Sequence, residues 1–167
     1  MANMGLDFGL GTDCFKHKFR WLFKIPDICA SGVNSLPPAK GARPNISFKE
    51  MEVQHINETL YYPSKPEWKP ITLVLFDLKR NRHPVFDWFK NIYNPCNGEW
   101  KASGENNFKK TVTLELYDGC GNVIEEWRYD NAWPQAIEFG ELDMGISEYL
   151  TIDITLRYDR AVIEQLC

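Results

Sequence analysis

One stretch constrains the fold more than any other: residues 150–158, LTIDITLRY, alternate without a break. Leu150, Ile152, Ile154, Leu156 and Tyr158 share one face, and Thr151, Asp153, Thr155 and Arg157 share the other. Successive side chains of a strand point to opposite sides, so a period of two marks a β-strand buried on one face only. Thr151 and Thr155 are β-branched, so the polar face favours the strand too. The approach from Trp127 reads as another strand, a turn at Ala132-Trp133-Pro134 and a polar, Gly-containing segment. Nothing in this stretch sets a nucleophile beside a base, so it reads as scaffold.

The rest of the chain supplies partners for that strand. Residues 1–16 read either as a Gly-rich arm lying on a neighbouring subunit or as a frayed terminus, and 17–167 as one domain with an extended loop over 36–62. His17 to Ile25 alternates Phe19, Trp21, Phe23 and Ile25 against Lys18, Arg20, Leu22 and Lys24, and Pro26 ends it. Residues 30–45 carry three prolines and read as an excursion. Ile46 to Ile56 and Glu58 to Tyr62 predict a hairpin, and residues 63–70 a proline-rich connection. Ile71 to Leu78 is apolar on both faces, the mark of a central strand covered on each side. Between Asn81 and Tyr93 the period changes to helical, with Val85, Phe86, Trp88, Phe89, Ile92 and Tyr93 on one face. Residues 94–107 form a polar loop. Lys110 to Asp118 and Val123 to Tyr129 then flank Gly119-Cys120-Gly121-Asn122, whose glycines suit a tight hairpin. One helix among short strands predicts a mainly β protein, an antiparallel β-sandwich or rolled barrel with one flanking α-helix.

Composition narrows the function classes. At 167 residues the chain is long enough for one substantial core. A formal net charge of −4 argues against a general nucleic-acid-binding surface, which is normally basic. The N-terminus lacks a signal-peptide pattern and no apolar run spans a bilayer, so synthesis in a cytosol is expected. Five cysteines show no C-x-x-C spacing, and nothing calls for a metal or cofactor. Five separate reduced thiols is the plainer expectation. Cys14, Cys120 and Cys167 are candidates for disulfides between subunits, because Cys167 is terminal and Cys120 sits in a Gly-Cys-Gly turn. His17, His55 and His83 stand in unrelated contexts, and Glu50/Glu52 and Glu141/Asp143 read as solvated strand faces rather than an acid–base pair. Trp21, Trp88, Trp127 and Trp133 read as core before they read as a sugar platform. The expectation is therefore no enzyme.

Several motifs in order carry a resemblance: Ser35-Leu36-Pro37; Trp68-Lys69-Pro70-Ile71-Thr72-Leu73; Phe86-Asp87-Trp88; Asn131-Ala132-Trp133-Pro134; Gly140-Glu141-Leu142-Asp143; and a closing Leu156-Arg157-Tyr158-Asp159. With them the chain resembles the tail tube proteins of contractile-tailed bacteriophages, related more distantly to pyocin and type VI secretion tubes. The resemblance implies six subunits in a ring, with one sheet from each joining its neighbours in a closed barrel. It implies stacking of rings into a tube inside a contractile sheath, with genomic DNA passing through the lumen without specific binding. The expected partners are other copies, the tail sheath, and baseplate and tail-terminator proteins; the expected location is the virion tail, assembled in the host cytoplasm. Ring stacking would fall to Phe8, Phe15, Leu36, Pro37, Pro38, Lys40, Arg43, Leu60, Tyr61 and Tyr62, with Lys40 and Arg43 pairing with acids of the next ring. The channel lining would draw on Lys49, Glu50, Glu52, Thr151, Asp153 and Thr155. Lys49 and Glu50 point to opposite faces of one strand, so the lining takes only part of that set. Two alternatives stand beside it: a tube initiator or terminator ring of the same fold, and a carbohydrate-binding β-sandwich module.

Overall fold

A computed structural model describes residues 16–25, 35–36, 38–77, 84–102 and 108–166. Phe8, Cys14, Phe15, Pro37 and Cys167 lie outside the described residues. The elements are β1 (Trp21–Lys24), β2 (Ser35–Leu36), β3 (Pro38–Lys40), β4 (Asn45–Gln54), β5 (Thr59–Lys69), β6 (Ile71–Phe76), α1 (Pro84–Ile92), β7 (Tyr93–Asn94), β8 (Glu99–Trp100), β9 (Lys110–Tyr117), β10 (Val123–Glu138), β11 (Thr151–Arg157) and β12 (Arg160–Leu166). The fold is mainly β, every strand pair is antiparallel, and α1 is the one helix among the described residues.

Strand β10, 16 residues long, is shared between two sheets. Its first part pairs with β9 on one side and β12 on the other; its last part, Trp133 to Glu138, pairs with β11. β11 and β12 run back along it as one interrupted strand, with Arg157 opposite Trp133 and Arg160 opposite Asp130. Both strands bend at the same level. Asn131 takes a left-handed φ of 56°, a conformation Asn tolerates better than most residues. Its Nδ2 donates to Asp159 Oδ2 at 2.9 Å, and Asp159 N donates to Asp130 O at 3.1 Å. The first sheet reads β2-β1-β9-β10-β12 and the second β10-β11-β6-β3. They also meet on the far side, where a Cβ on Gly41 would fall 2.7 Å from the Trp21 ring. The result is a rolled, sandwich-like barrel.

The alternation that the sequence announces becomes the core. Ile152, Ile154, Leu156 and Tyr158 of and after β11 are buried, as are Ile71, Leu73 and Leu75 of β6, and Val112, Leu114 and Phe23 opposite them. Aromatic rings run through it in a row: Phe23 to Tyr129 at 6.1 Å, Tyr129 to Tyr158 at 5.0 Å, and Tyr158 to Trp68 at 6.1 Å. Helix α1 seals one end with Val85 and Trp88, whose indole Nε1 donates to Phe108 O at 2.7 Å.

Several expectations need correction. The chain does not turn at 132–134: β10 runs through to Glu138, absorbing Pro134 beside a register shift, where a missing N–H is tolerated. Residues 63–70 are mostly strand, because Pro63 and Pro66 flank an irregularity in a two-stranded hairpin with open edges. β6 is covered on one face only, with Thr72 and Phe76 exposed on the other. Short pairings appear within the expected loops at 35–40 and 93–100, and a last strand, β12, follows Asp159. The first strand starts at Trp21, leaving Phe19 73% exposed, and Leu150 is exposed ahead of β11.

Candidate assembly surfaces

The outer face of the second sheet is built by the same alternation that buries its inner face. Across it Thr155 stands opposite Thr72 and Ala136; Asp153 stands opposite Val74 and Glu138; Thr151 stands opposite Phe76. Lys40 joins the second of these rows, opposite Val74. Thr151, Asp153 and Thr155 are thus neighbours on one half-buried, Thr-rich surface. Among the described residues both borders of this four-stranded sheet are unpaired: the outer edge of β3, and the edge of β10 beyond Ala132, where pairing with β9 ends.

The β4–β5 hairpin stands away from the barrel, and its apolar side chains change faces along its length. Near the base Ile46 and Phe48 lie opposite Trp68 and Pro66, and Trp68 packs on the core. Beyond the register shift at Phe48/Glu50, the apolar pairs are Met51–Tyr62 and Val53–Leu60 on the other face. Those four side chains are 39–53% exposed. Glu50 and Glu52 lie opposite Pro63 and Tyr61 on the face that Phe48 began, while Lys49 reaches Glu67 at 3.9 Å on the face of Ser47. The hairpin therefore sets Lys49, Glu50 and Glu52 apart from Thr151, Asp153 and Thr155. Tyr61 is exposed and Pro38 half-buried. The backbone of Leu36 lies in β2.

A third surface escaped the sequence reading, which took residues 139–150 for a polar connection. Its two ends are anchored by aromatic pairs: Phe139 stacks on Phe86 with centroids 4.9 Å apart, and Tyr149 meets Phe76 edge-on at 6.4 Å. Between them Leu142, Met144 and Ile146 stand in solvent, Leu142 at 86% exposure. The available signal was the set of three large apolar residues, Leu142, Met144 and Ile146, spaced between acids.

Two carboxylates are buried. Glu125 accepts from Lys16, from the Trp127 indole and from Arg43 Nη1, the last at 3.4 Å. Burial alone would raise its proton affinity, but these hydrogen bonds and the charges of Lys16 and Arg43 hold the carboxyl below its ordinary value. Glu115 accepts from Lys24 Nζ at 2.5 Å and from the Tyr117 hydroxyl. At the bend, Asp130 pairs with Arg160 at 2.6 Å and Arg128 at 3.0 Å, and Asp159 with Lys109 at 3.1 Å. Partial burial opposes ionisation at both, and these donors together with Asn131 outweigh it, lowering both carboxyls.

These groups are all paired into the structure; Asp130 and Asp159, with Arg128, Asn131, Arg160 and Thr111, also line an open recess at the bend. Among the described residues, no group of three or more His, Cys, Asp or Glu could hold a metal ion. Cys120 is exposed, as is Cys96, which the sequence reading did not single out. Trp88 is buried, Trp21 and Trp127 pack against the core, and Trp133 meets Phe108 edge-on, so these four do not make a sugar platform.

Comparison with known proteins supplies the family. The sequence pattern of the T4-like virus tail tube protein gp19 matches residues 18–162. The tail tube protein of Serratia phage KSP90 is 22% identical over 156 residues, covering 90% of this chain and 88% of its own. Among solved structures, the tube-terminating cap of the anti-feeding prophage superposes with a TM-score of 0.74 at 19% identity, over 99% of both chains. A chain of the PVC extracellular contractile injection system sheath–tube complex gives 0.68 at 18% identity, over 96% of this chain and 95% of that one. Hcp1 from Salmonella typhimurium gives 0.52 at 14%, over 85% and 83%. The chain belongs to the T4-like virus tail tube protein gp19 family: it is a structural tail tube protein.

Proposed function

We propose that six copies of this chain close into a ring and that rings stack into the tube through which a phage genome is delivered. The observation that carries this reading is the pair of unpaired borders on the second sheet, β3 on one side and Gln135–Glu138 of β10 on the other. Open edges expose unsatisfied backbone donors and acceptors, and a ring of sheets joined edge to edge removes them all. Thr72, Thr151, Asp153, Thr155 and Glu138 then line the channel. On this face Asp153 and Glu138 offset Lys40 and Arg157 among threonines, so the lining offers phosphates no net basic surface to hold and DNA slides.

Stacking falls to the hairpin. Met51, Val53, Leu60 and Tyr62 form an apolar face with no cover in one subunit, and exposed clusters of this kind mark interaction surfaces. Lys49 shares that face, and Glu50 and Glu52 flank it on the opposite side of the same hairpin, away from the sheet that carries Thr151, Asp153 and Thr155. A sheath would surround the tube, and baseplate and terminator proteins would meet its ends, in keeping with the assemblies to which the structural relatives belong.

Electron microscopy of the purified protein at rising concentration tests the reading, with and without reductant. Wild-type protein is expected to form hollow tubes, and Val53→Lys with Leu60→Lys is expected to abolish them while leaving the circular dichroism of the subunit unchanged. Single rings at every concentration would assign the chain to the end of a tube. A monomer that never assembles alone or on a tail template would overturn the proposal. Loss of tubes in reductant would add bonds through Cys120 or the cysteines outside the described residues.

A further inference from the structure

The two open borders of the second sheet carry opposite charge. At one of them β3 ends in Lys40, which shares with Lys18, Trp21 and Ala39 the wall of a recess of about 460 Å³. Lys16 and Arg43 beside it turn inward onto Glu125. Lys18 and Lys40 are exposed and make no ion pair among the described residues. At the other border β10 runs out through Glu138 into residues 138–150, which hold Glu138, Glu141, Asp143 and Glu148 and no Lys, Arg or His. These four acids are likewise exposed and without an ion pair among the described residues.

Strand direction and register decide how the borders of two copies meet. Direction alternates through β10, β11, β6 and β3, so around a ring the β3 of one subunit runs antiparallel to the β10 of the next, as in every other pair. Within one subunit Glu138, Asp153, Val74 and Lys40 stand in one row across the four strands. Strands of a closed barrel tilt by about 35–45°, so this row does not lead back to Glu138 in the neighbour. Four strands about 4.8 Å apart, tilted by about 40°, give an offset of about 16 Å, or about five residues, per subunit. Its direction follows from chirality. Asp77 N donates to Leu150 O at 2.9 Å, and alternation then turns the peptide groups of Asp153 and Glu138 towards each other. For L-residues whose side chains face the channel, this sets β11 to the right of an upward-running β10 as seen from the channel. With the right-handed coiling that strand twist gives to barrels, the offset runs from Glu138 towards Asp143. Lys40 therefore meets the neighbour's chain within the acidic segment, beyond the end of β10.

We propose that, within one ring, the segment after Glu138 of each subunit lies along β3 of its neighbour, with Glu141 and Asp143 against Lys40 and Lys18 and the bare Leu142 against Ala39 and Trp21. The inference rests on the ring closure proposed above and adds the register of the seam and the side chains that select it. Backbone pairing alone leaves that register open, because a slip of two residues keeps every side chain on its own face. Such a slip moves the acids away from Lys40, so charge chooses the register where the ladder does not. Register in turn fixes strand tilt, and tilt fixes the width of the barrel. The seam charges thus set the bore of the channel.

The test is a charge swap on the full chain, read as the concentration at which rings form, by sedimentation velocity and negative-stain electron microscopy over a dilution series. Glu141→Lys with Asp143→Lys, and separately Lys18→Glu with Lys40→Glu, should each raise that concentration about tenfold or more, since every seam repeats the contact. Combining all four should return it towards the wild-type value. Glu138→Lys, whose side chain the offset carries away from Lys40, should move it far less. Zero-length carbodiimide cross-linking of wild-type assemblies should join Glu141 or Asp143 to Lys18 or Lys40 of another copy, in a covalent ladder that ends at one ring. Indifference to both reversals, a combined variant no better than its halves, or greater sensitivity to Glu138→Lys would overturn the contact while ring closure stands. Cross-links only elsewhere, or a ladder running past one ring, would do the same. A wild-type protein that never closes into rings would remove both.

Discussion

Gly140, where the acidic loop leaves β10, should be the costliest glycine to replace among the described residues. Its φ is +75°, in the left-handed region, and a Cβ there would fall 2.7 Å from the carbonyl oxygen of Thr151. For alanine that dihedral costs about 1–2 kcal/mol. The clash adds to it, because Thr151 cannot withdraw without breaking its pairing with Phe76. Overpacking of this kind typically costs about 1–3 kcal/mol, and the stiffer unfolded chain returns about 0.4–1 kcal/mol. Gly140→Ala should therefore lose roughly 2–4 kcal/mol. Gly121 supplies the control: its φ is +92°, yet nothing lies within 4 Å of the point a methyl group would occupy, so Gly121→Ala bears the dihedral cost alone. Urea unfolding, followed by tryptophan fluorescence below the assembly concentration, compares the two at constant slope. A Gly140→Ala variant no less stable than Gly121→Ala would refute the argument from contact with Thr151.

Other consequences are open to measurement. The Tyr129 hydroxyl is buried without a hydrogen-bond partner among the described residues, so Tyr129→Phe should be neutral or stabilising by up to about 1 kcal/mol in thermal unfolding; a large loss would mean the hydroxyl is satisfied. Glu125, Asp130 and Asp159 bind protons less readily folded than unfolded, so their contribution is complete above the unfolded carboxylate range of about 4. It disappears as pH falls through their lowered values; the melting temperature should hold to about pH 5 and then drop, less steeply in Asp130→Asn. An equal drop in that variant would exclude the bend as the acid-sensitive element. Burial, together with the hydrogen bond and charge of Glu115, pushes the Tyr117 hydroxyl up to about 12. Burial raises Tyr129 and Tyr158 as well, so spectrophotometric titration should find three late tyrosines, of which Glu115→Gln moves Tyr117 earlier, and stability from this group should fade as pH climbs above about 10.

Much of the fold was legible because its signals are local. The run from Ile152 to Tyr158 alternates in sequence, and Val85 and Trp88 recur at helical spacing, so burial and helix follow from periodicity alone. The Gly119 to Asn122 turn carried its hairpin in its glycines. What stayed hidden depends on pairing at a distance. Pro134 looks like a breaker until β11 and the bend at Asn131 explain how a strand passes through it. Pro63 and Pro66 do likewise in β5, whose partner strand lies some fifteen residues back. The candidate surfaces were legible in part: Tyr62 and Leu60 in the hairpin could be named, and Thr151, Asp153 and Thr155 share one face. The loop from Phe139 to Leu150 was missed because acids interleave its apolar residues, which hides a sticky surface from any average of polarity.

The sharing of β10 between two sheets also orders events in time. β9 through β12 are consecutive in the chain and pair among themselves, so this meander can form as soon as its own residues exist. β1 must wait: Trp21 pairs with Leu116, across a loop of nearly a hundred residues, and β6 must wait for β11. Chains that depend on such remote pairings fold on the millisecond-to-second scale, slowly for their size. During synthesis the N-terminal half emerges first, its hairpin able to zip locally while the barrel beneath it has no partner strands. A growing chain is thus unable to present a finished subunit until its final strands arrive, and polymerisation on the ribosome is delayed by the order of the strands themselves.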